Sequence, residues 1–238
     1  MNYTLKILRR ERDGKESFWQ CFLYIPKTDN DTVATALTEL NKRENLTDAD
    51  GNPTRSVEWE CSCLQKKCGA CAMVISGRPC LACDAKLTDL KKEITVEPLR
   101  KFPVVCDLVV DRSILYENLK TLKLWLKEDA VLPDRYRDLA YEASECIQCG
   151  CCLEVCPNFD PDGIFTGAAG AVPMTRLLLA QEKSGDLENA GLYEKRFFES
   201  CGKSLACEKI CPAGIPTGEM LSRSNAVAVW KRNIVRGK

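Results

Sequence analysis

The chain contains no histidine among its 238 residues. That removes the commonest proton shuttle and the commonest metal ligand at once. Net charge is also missing, because 34 Lys and Arg balance 34 Asp and Glu. Nucleic acids and anionic membranes are bound through a basic footprint, so no nucleic-acid partner is expected. Long hydrophobic runs are absent as well. Val104 to Val110 is short and broken by Asp107, well below the roughly 18 apolar residues of a membrane span. Met1-Asn2-Tyr3-Thr4-Leu5-Lys6 leads directly into charged sequence, without the apolar core or cleavage site of an export signal. A location in the cytosol, or on the cytosolic side of a membrane, is expected.

Cysteine, by contrast, is abundant: there are sixteen. In a reducing compartment such clusters bind metal or serve catalysis more often than they form disulfides. Without His, a metal site here must be mainly thiolate, which favours zinc or iron–sulfur.

Spacing decides between these two. Cys146, Cys149, Cys152 and Cys156 give C-x2-C-x2-C-x3-C before Pro157. This is the bacterial ferredoxin run, whose fourth Cys ligates a second cluster rather than the first. Cys201, Cys207 and Cys211-Pro212 form an incomplete second copy, in which Ser204 occupies the slot of the second Cys. A hydroxyl is a far weaker ligand than a thiolate for soft iron, so that corner is expected to stay empty. Under the cross-over rule, Cys146, Cys149, Cys152 and Cys211 hold a 4Fe–4S cluster, and Cys156, Cys201 and Cys207 hold a 3Fe–4S cluster. Cys151 falls outside the spacing and reads as a packed thiol, with a substitute ligand as the alternative.

A different motif lies nearer the start. Cys63-x4-Cys68-x2-Cys71, with Cys83 further on, has the plant-type spacing for a 2Fe–2S cluster. Gly69, Ala70 and Ala72 keep this loop small, so that backbone N–H groups can reach the sulfurs. Cys61 in place of Cys63 gives a poorer spacing, so Cys61 and Cys80 are expected to be small buried hydrophobes. A structural zinc site is the plainer reading of these thiols, but the uneven spacing does not match paired zinc knuckles.

The hydrophobic pattern changes along the chain. Tyr3 to Arg9 and Phe18 to Ile25 read as strands joined through the Asp13-Gly14 turn. Asp31 or Thr32 can cap a helix reaching about Arg43. Met73 to Ile75 is expected to be a strand, Lys86 to Val96 a further strand pair, and Pro98 to Pro103 a connection. The domain boundary is placed near residue 105. Beyond it the period becomes helical: Leu115, Leu119, Leu122 and Leu126 share one face, and Leu139 and Ala143 precede Cys146. Leu153 to Val155, Met174 to Gln181, Leu192 to Glu199 and Met220 to Arg232 complete an all-helical half. The expected fold class is therefore α+β, with residues 1–105 mixed and residues 106–238 all-α.

These motifs together resemble the iron–sulfur subunits of succinate dehydrogenases and quinol:fumarate reductases. The resemblance rests on the Ser62-to-Met73 cysteine loop, Leu81-Ala82-Cys83, Phe102-Pro103-Val104-Val105-x-Asp107-Leu108-Val109-Val110-Asp111, Cys146 to Cys152, Phe165-x-Gly167-Ala168-Ala169, and Cys201 to Pro212. It implies a β-grasp ferredoxin domain followed by a helical ferredoxin domain, with the three clusters in line. It further implies a flavoprotein subunit with covalent FAD beside the first cluster, and a membrane anchor or cytochrome b subunit with a quinone site near the third. Such a subunit lies peripherally on the cytoplasmic face of the bacterial membrane. It relays electrons in respiration, while succinate or fumarate is handled on the flavoprotein.

There are departures from the family pattern. Leu64-Gln65-Lys66-Lys67 fills the first cysteine loop, where the family usually has Arg or a similar residue after Cys63. Ubiquinone-using members carry a His after the first Cys of the second copy and a Trp soon after the Cys-Pro of the first. Here those places hold Gly202 and Asn158-Phe159-Asp160, which tilts the expectation towards menaquinone. An aromatic followed by basic residues, Trp230-Lys231-Arg232, reads as a core-helix end with a solvated tail or as a contact with an anchor. The alternative functions are the iron–sulfur subunit of a soluble or thiol-coupled fumarate reductase, and a free-standing ferredoxin or zinc protein. With no His and no acid/base pair, dicarboxylate chemistry by this chain alone is not expected.

Overall fold

A computed structural model describes residues 2–126, 129, 131–181 and 187–230. The chain divides into two compact units, Met1–Arg112 and Ser113–Lys238. The break comes after the boundary expected near residue 105, because a hairpin that spans that point, over residues 104–110, belongs to the first unit.

In the first unit, β1 (Tyr3–Arg10) and β2 (Ser17–Tyr24) form an antiparallel hairpin. Strict alternation of buried and half-buried residues along β1 is what a sheet with one covered face requires. The helix α1 (Val33–Asn41) covers that face with Val33, Ala34, Ala36, Leu37 and Leu40. Of the two candidate caps, Thr32 starts the helix, and it exchanges bonds with Thr35 in a capping box. Asp31 instead accepts from the Tyr24 hydroxyl at 2.7 Å.

β3 (Ala72–Ile75) and β4 (Arg78–Leu81) follow the first cysteine loop and meet through Ser76 and Gly77, both at positive φ. Two successive residues in that conformation make the tight turn that matches strand twist. β5 (Glu93–Glu97) then enters between β1 and β3, parallel to the former, giving the order β2-β1-β5-β3-β4. The expected strand pair over 86–96 is a correction: Leu87–Asp89 is a 3₁₀ turn and only β5 is a strand.

Sequence reading assigned no strands after Pro103, yet β6 (Val104–Cys106) pairs with β7 (Val109–Val110). What ties this hairpin down is a buried charge network. The Asp107 carboxylate accepts both guanidinium arms of Arg55, at 2.7 and 2.8 Å. It also accepts the backbone N–H groups of Arg10 and Glu58, at 3.0 and 2.9 Å, and Arg9 Nε lies 3.0 Å away. Burial by itself raises a carboxyl pKa, but Arg55, Arg9 and the two N–H groups outweigh it and hold Asp107 below its ordinary 3.8.

The second unit is helical among its described residues: α2 (Ser113–Thr121), α3 (Arg137–Ser144), α4 (Cys151–Glu154), α5 (Gly167–Ala180), α6 (Leu187–Arg196), α7 (Ala206–Ile210) and α8 (Thr217–Asn225). Its core brings Leu139 and Ala143 of α3 against Val172 and Leu179 of α5 and Met220 of α8. The four-leucine face is only partly formed. α2 ends at Thr121, Lys123 turns at φ 51°, and Leu126 is exposed. α5 begins well before Met174, at Gly167, whose φ is +61° and where an added Cβ would lie 2.3 Å from Leu153. That close approach seats α5 directly on α4. α6 is followed by a 3₁₀ turn, and α8 by a π-helical turn ending at Trp230; Lys231 and Arg232 lie outside the described residues. No helix among the described residues is long and apolar enough to cross a membrane.

Candidate metal centres

The first group of thiols forms on the loop before β3 and just after β4. Leu64, Lys66 and Gly69 take positive φ, which curls the loop so that amides point inward. The N–H groups of Gln65 and Lys67 donate to Cys63 Sγ and that of Lys66 to Cys83 Sγ, each at 3.3 Å. The two donors at Cys63, helped by Cys68, bring its pKa from 9.0 down to about 7. Cys71 is buried and is pushed up to about 12, with Cys83 and Cys68 adding to the rise. Cys68 thus acts on both Cys63 and Cys71, and Cys83 on Cys71, which brings the four thiols together in one place. N–H groups aimed at sulfur stabilise thiolate charge, as metal-bound thiolates require. The expected burial of Cys61 is wrong: it is exposed, on the irregular stretch between Val57 and the cysteine loop. Cys80 is half-buried on β4, its pKa raised to about 11 by burial.

Sequence reading missed Arg112, which braces this loop. Its Nη1 donates to the Gly69 carbonyl at 3.1 Å, and its Nη2 to those of Ala70 and Ala72 at 2.8 and 3.2 Å. A peptide whose carbonyl is held outward turns the N–H of the next residue the other way. Arg112 is thus built to present loop amides to the thiols. A lone Arg after an apolar hairpin carries no such signal.

In the second unit, Cys146, Cys149, Cys152 and Cys211 line one small, mostly apolar cavity of about 30 Å³, walled also by Ile147, Ala169 and Ile215. Burial raises the pKa of Cys146 and Cys152, and thiols of the same set add to both shifts. Cys207 is pushed up to about 11 by burial, and its thiol neighbours are Cys156 and Cys201. The chain thus gathers seven thiols into two interleaved sets, in which the last Cys of each run joins the other run's set. Cys152 also feels Cys207, so the sets are adjacent. Ser204 is exposed, and its hydroxyl accepts only a long bond from the Ala206 N–H at 3.5 Å. Cys151 is fully buried, as a packed thiol should be.

None of the sixteen cysteines is in a disulfide. Among the described residues, no group of three or more His, Cys, Asp or Glu side chains could hold a single metal ion. A second residue missed from sequence is Gln148, whose Nε2 donates to Cys146 Sγ at 3.2 Å and to the Ala169 carbonyl at 3.0 Å. Asn158 and Gly202, the two departures noted above, are spatial neighbours: Asn158 Nδ2 donates to Ser200 O at 2.9 Å, and a Cβ on Gly202 would lie 3.1 Å from Asn158 Oδ1.

Comparison with known proteins agrees with this chemistry. Residues 4–117 match the family described as a 2Fe-2S iron-sulfur cluster binding domain, and residues 142–215 that described as a 4Fe-4S dicluster domain. The chain is 38% identical to the succinate dehydrogenase iron-sulfur subunit of Bacillus subtilis, over 84% of this chain and 83% of that one. It is 32% identical to the fumarate reductase iron-sulfur subunit of Mycobacterium tuberculosis, over 86% and 83%. In fold it matches a chain of the Mycobacterium smegmatis Sdh1 complex in the apo form, with a TM-score of 0.75 at 22% identity, over 97% of each chain. Two cysteine-lined units in this order, with relatives matched along most of their length, leave one conclusion: this chain belongs to the succinate dehydrogenase and fumarate reductase iron–sulfur subunits, the electron-transfer subunits of those oxidoreductases.

Proposed function

We propose that the chain relays single electrons between the FAD of a flavoprotein subunit and menaquinone at a membrane anchor, through three clusters. Cys63, Cys68, Cys71 and Cys83 hold 2Fe–2S; Cys146, Cys149, Cys152 and Cys211 hold 4Fe–4S; Cys156, Cys201 and Cys207 hold 3Fe–4S. When bound, the clusters supply the one-electron redox chemistry. The polypeptide supplies thiolates, N–H donors that stabilise their charge, and apolar walls that exclude water.

The observation that carries this reading is the interleaving of the seven second-unit thiols, which matches the ligand exchange of a two-cluster ferredoxin. The exposed Ser204 supports an open corner at the third site. Asn158 and Gly202, adjacent in the fold, support a quinone partner other than ubiquinone, since neither brings an imidazole or indole donor to that place. The chain would sit peripherally on the cytoplasmic face of the membrane.

Purification of the complex from its native membrane, with subunit identification and EPR across a redox titration, tests this. Three distinct paramagnetic centres, an FAD-bearing subunit and faster turnover with menaquinone analogues than with ubiquinone analogues are expected. Fewer than three centres would overturn the cluster assignment, and faster ubiquinone turnover would overturn the quinone assignment.

A further inference from the structure

α5 has a gap in its own hydrogen bonding, and the cluster cavity uses it. Pro173 lies inside this helix and has no N–H, so the carbonyl four residues earlier, that of Ala169, loses its helical donor. Gln148 Nε2 takes the vacant place at 3.0 Å and from there also donates to Cys146 Sγ at 3.2 Å. The backbone N–H of Gln148 supports the same sulfur. Two further observations mark this residue as held for a purpose. Gln148 sits at φ 48°, a left-handed conformation costly for any side chain beyond glycine. Its Oε1 is buried without a hydrogen-bond partner, a loss that asks for a compensating role. The opposite amide orientation would aim that oxygen at a sulfur and a carbonyl, so the donor assignment is the only workable one.

Resting on the cluster assignment above, we propose that Gln148 is a positioning residue that raises the reduction potential of the centre held by Cys146, Cys149, Cys152 and Cys211. Pro173 makes this possible by leaving the Ala169 carbonyl open to brace the amide. Reduction adds one electron to that centre, with no bond formed or broken and no proton transferred. The added negative charge falls partly on the sulfurs, so an N–H···S bond stabilises the reduced form more than the oxidised form.

The test is an EPR-monitored redox titration of the assembled complex, with dithionite supplying electrons through mediators. Gln148→Met keeps the volume and removes the donor. It is expected to lower the midpoint of this one centre so that the reduced-to-oxidised ratio at fixed potential falls about tenfold, equivalent to about 59 mV for a one-electron couple. The other two centres serve as internal standards and should not move. The double variant Gln148→Met with Pro173→Ala separates tuning from support, because the backbone N–H regained at position 173 satisfies the Ala169 carbonyl but not the sulfur. Cluster retention should recover in the double variant while the midpoint stays low. An unchanged midpoint in both variants, or one that returns to the parent value with Pro173→Ala, overturns the proposal. Absence of this centre from the parent complex would overturn the cluster assignment itself, and the proposal with it.

Discussion

Replacing Asp107 by Asn should destabilise the first unit strongly while leaving its shape intact. Asn is close in size and tolerates the positive φ of this residue, 44°, so the substitution isolates charge. The Asp107 side chain is 0% exposed and that of Arg9 only 1%. With the carboxylate gone, Arg9 is left as a buried cation without its counter-charge, and Arg55 loses one of its two charged acceptors. Breaking a buried pair by removing one partner costs about 3–5 kcal/mol. The retained amide oxygen still accepts one or two bonds, which places the expectation near about 3 kcal/mol. For a unit of this size that corresponds to a fall of roughly 10–20 °C in the melting temperature.

The assay is thermal and guanidinium unfolding of the holo-chain, followed by 2Fe–2S absorbance and far-UV circular dichroism. Loss of the visible band should accompany the early transition, since Asp107 also anchors the Glu58 N–H just ahead of the cysteine loop. Arg12→Gln provides the contrast. Its pair with Glu58 is exposed on both sides, and such pairs are worth about 0–1 kcal/mol. Acidity supplies a second test of the same carboxylate. A group whose folded pKa lies below its unfolded value stabilises fully above the unfolded value and loses that contribution as pH falls through the folded one. For Asp107 the contribution is complete above about pH 5 and drains away below about pH 4, so the gap between parent and Asp107→Asn should narrow there. A destabilisation under about 1 kcal/mol at neutral pH, or a gap that does not change with acid, would refute the reasoning.

Two further outcomes follow from the thiol sets. Ser204→Cys should allow a fourth iron at the third site, read as a rise in iron per chain and a change of EPR signature; a variant that still binds three irons there would show that Ser204 does not occupy the missing ligand's place. Arg112→Gln should lower the midpoint of the 2Fe–2S centre alone, by removing a positive charge and the fork that holds Gly69, Ala70 and Ala72. Arg112→Lys keeps the charge and should fall between the two; a potential unmoved in both variants would make Arg112 a purely structural brace.

What could be read from the sequence depended on how local the physics is. Cluster ligands must converge from short wrapped loops, so spacing alone groups Cys63 with Cys68 and Cys71, and Cys146 with Cys149 and Cys152, and the fold gathers each of those sets. Strict alternation announced β1, because one face of that strand is covered. The misses all depended on something distant. The hairpin of β6 and β7 is short and weakly patterned, and it belongs to the first unit through Asp107, whose partners Arg9 and Arg55 lie far earlier in the chain. The expected face through Leu126 failed because a local reversal at Lys123 ends the helical period that the leucines alone suggest. Gln148 is the clearest case. Between two ligand cysteines it looks like filler, and its use appears only when Pro173, on another helix, is seen to have orphaned the carbonyl that the amide fills. The cysteine sets are therefore legible from spacing, whereas the residues that brace them fill vacancies the fold creates elsewhere. The place to look for potential-setting residues in such chains is wherever a proline inside a helix faces a cysteine loop.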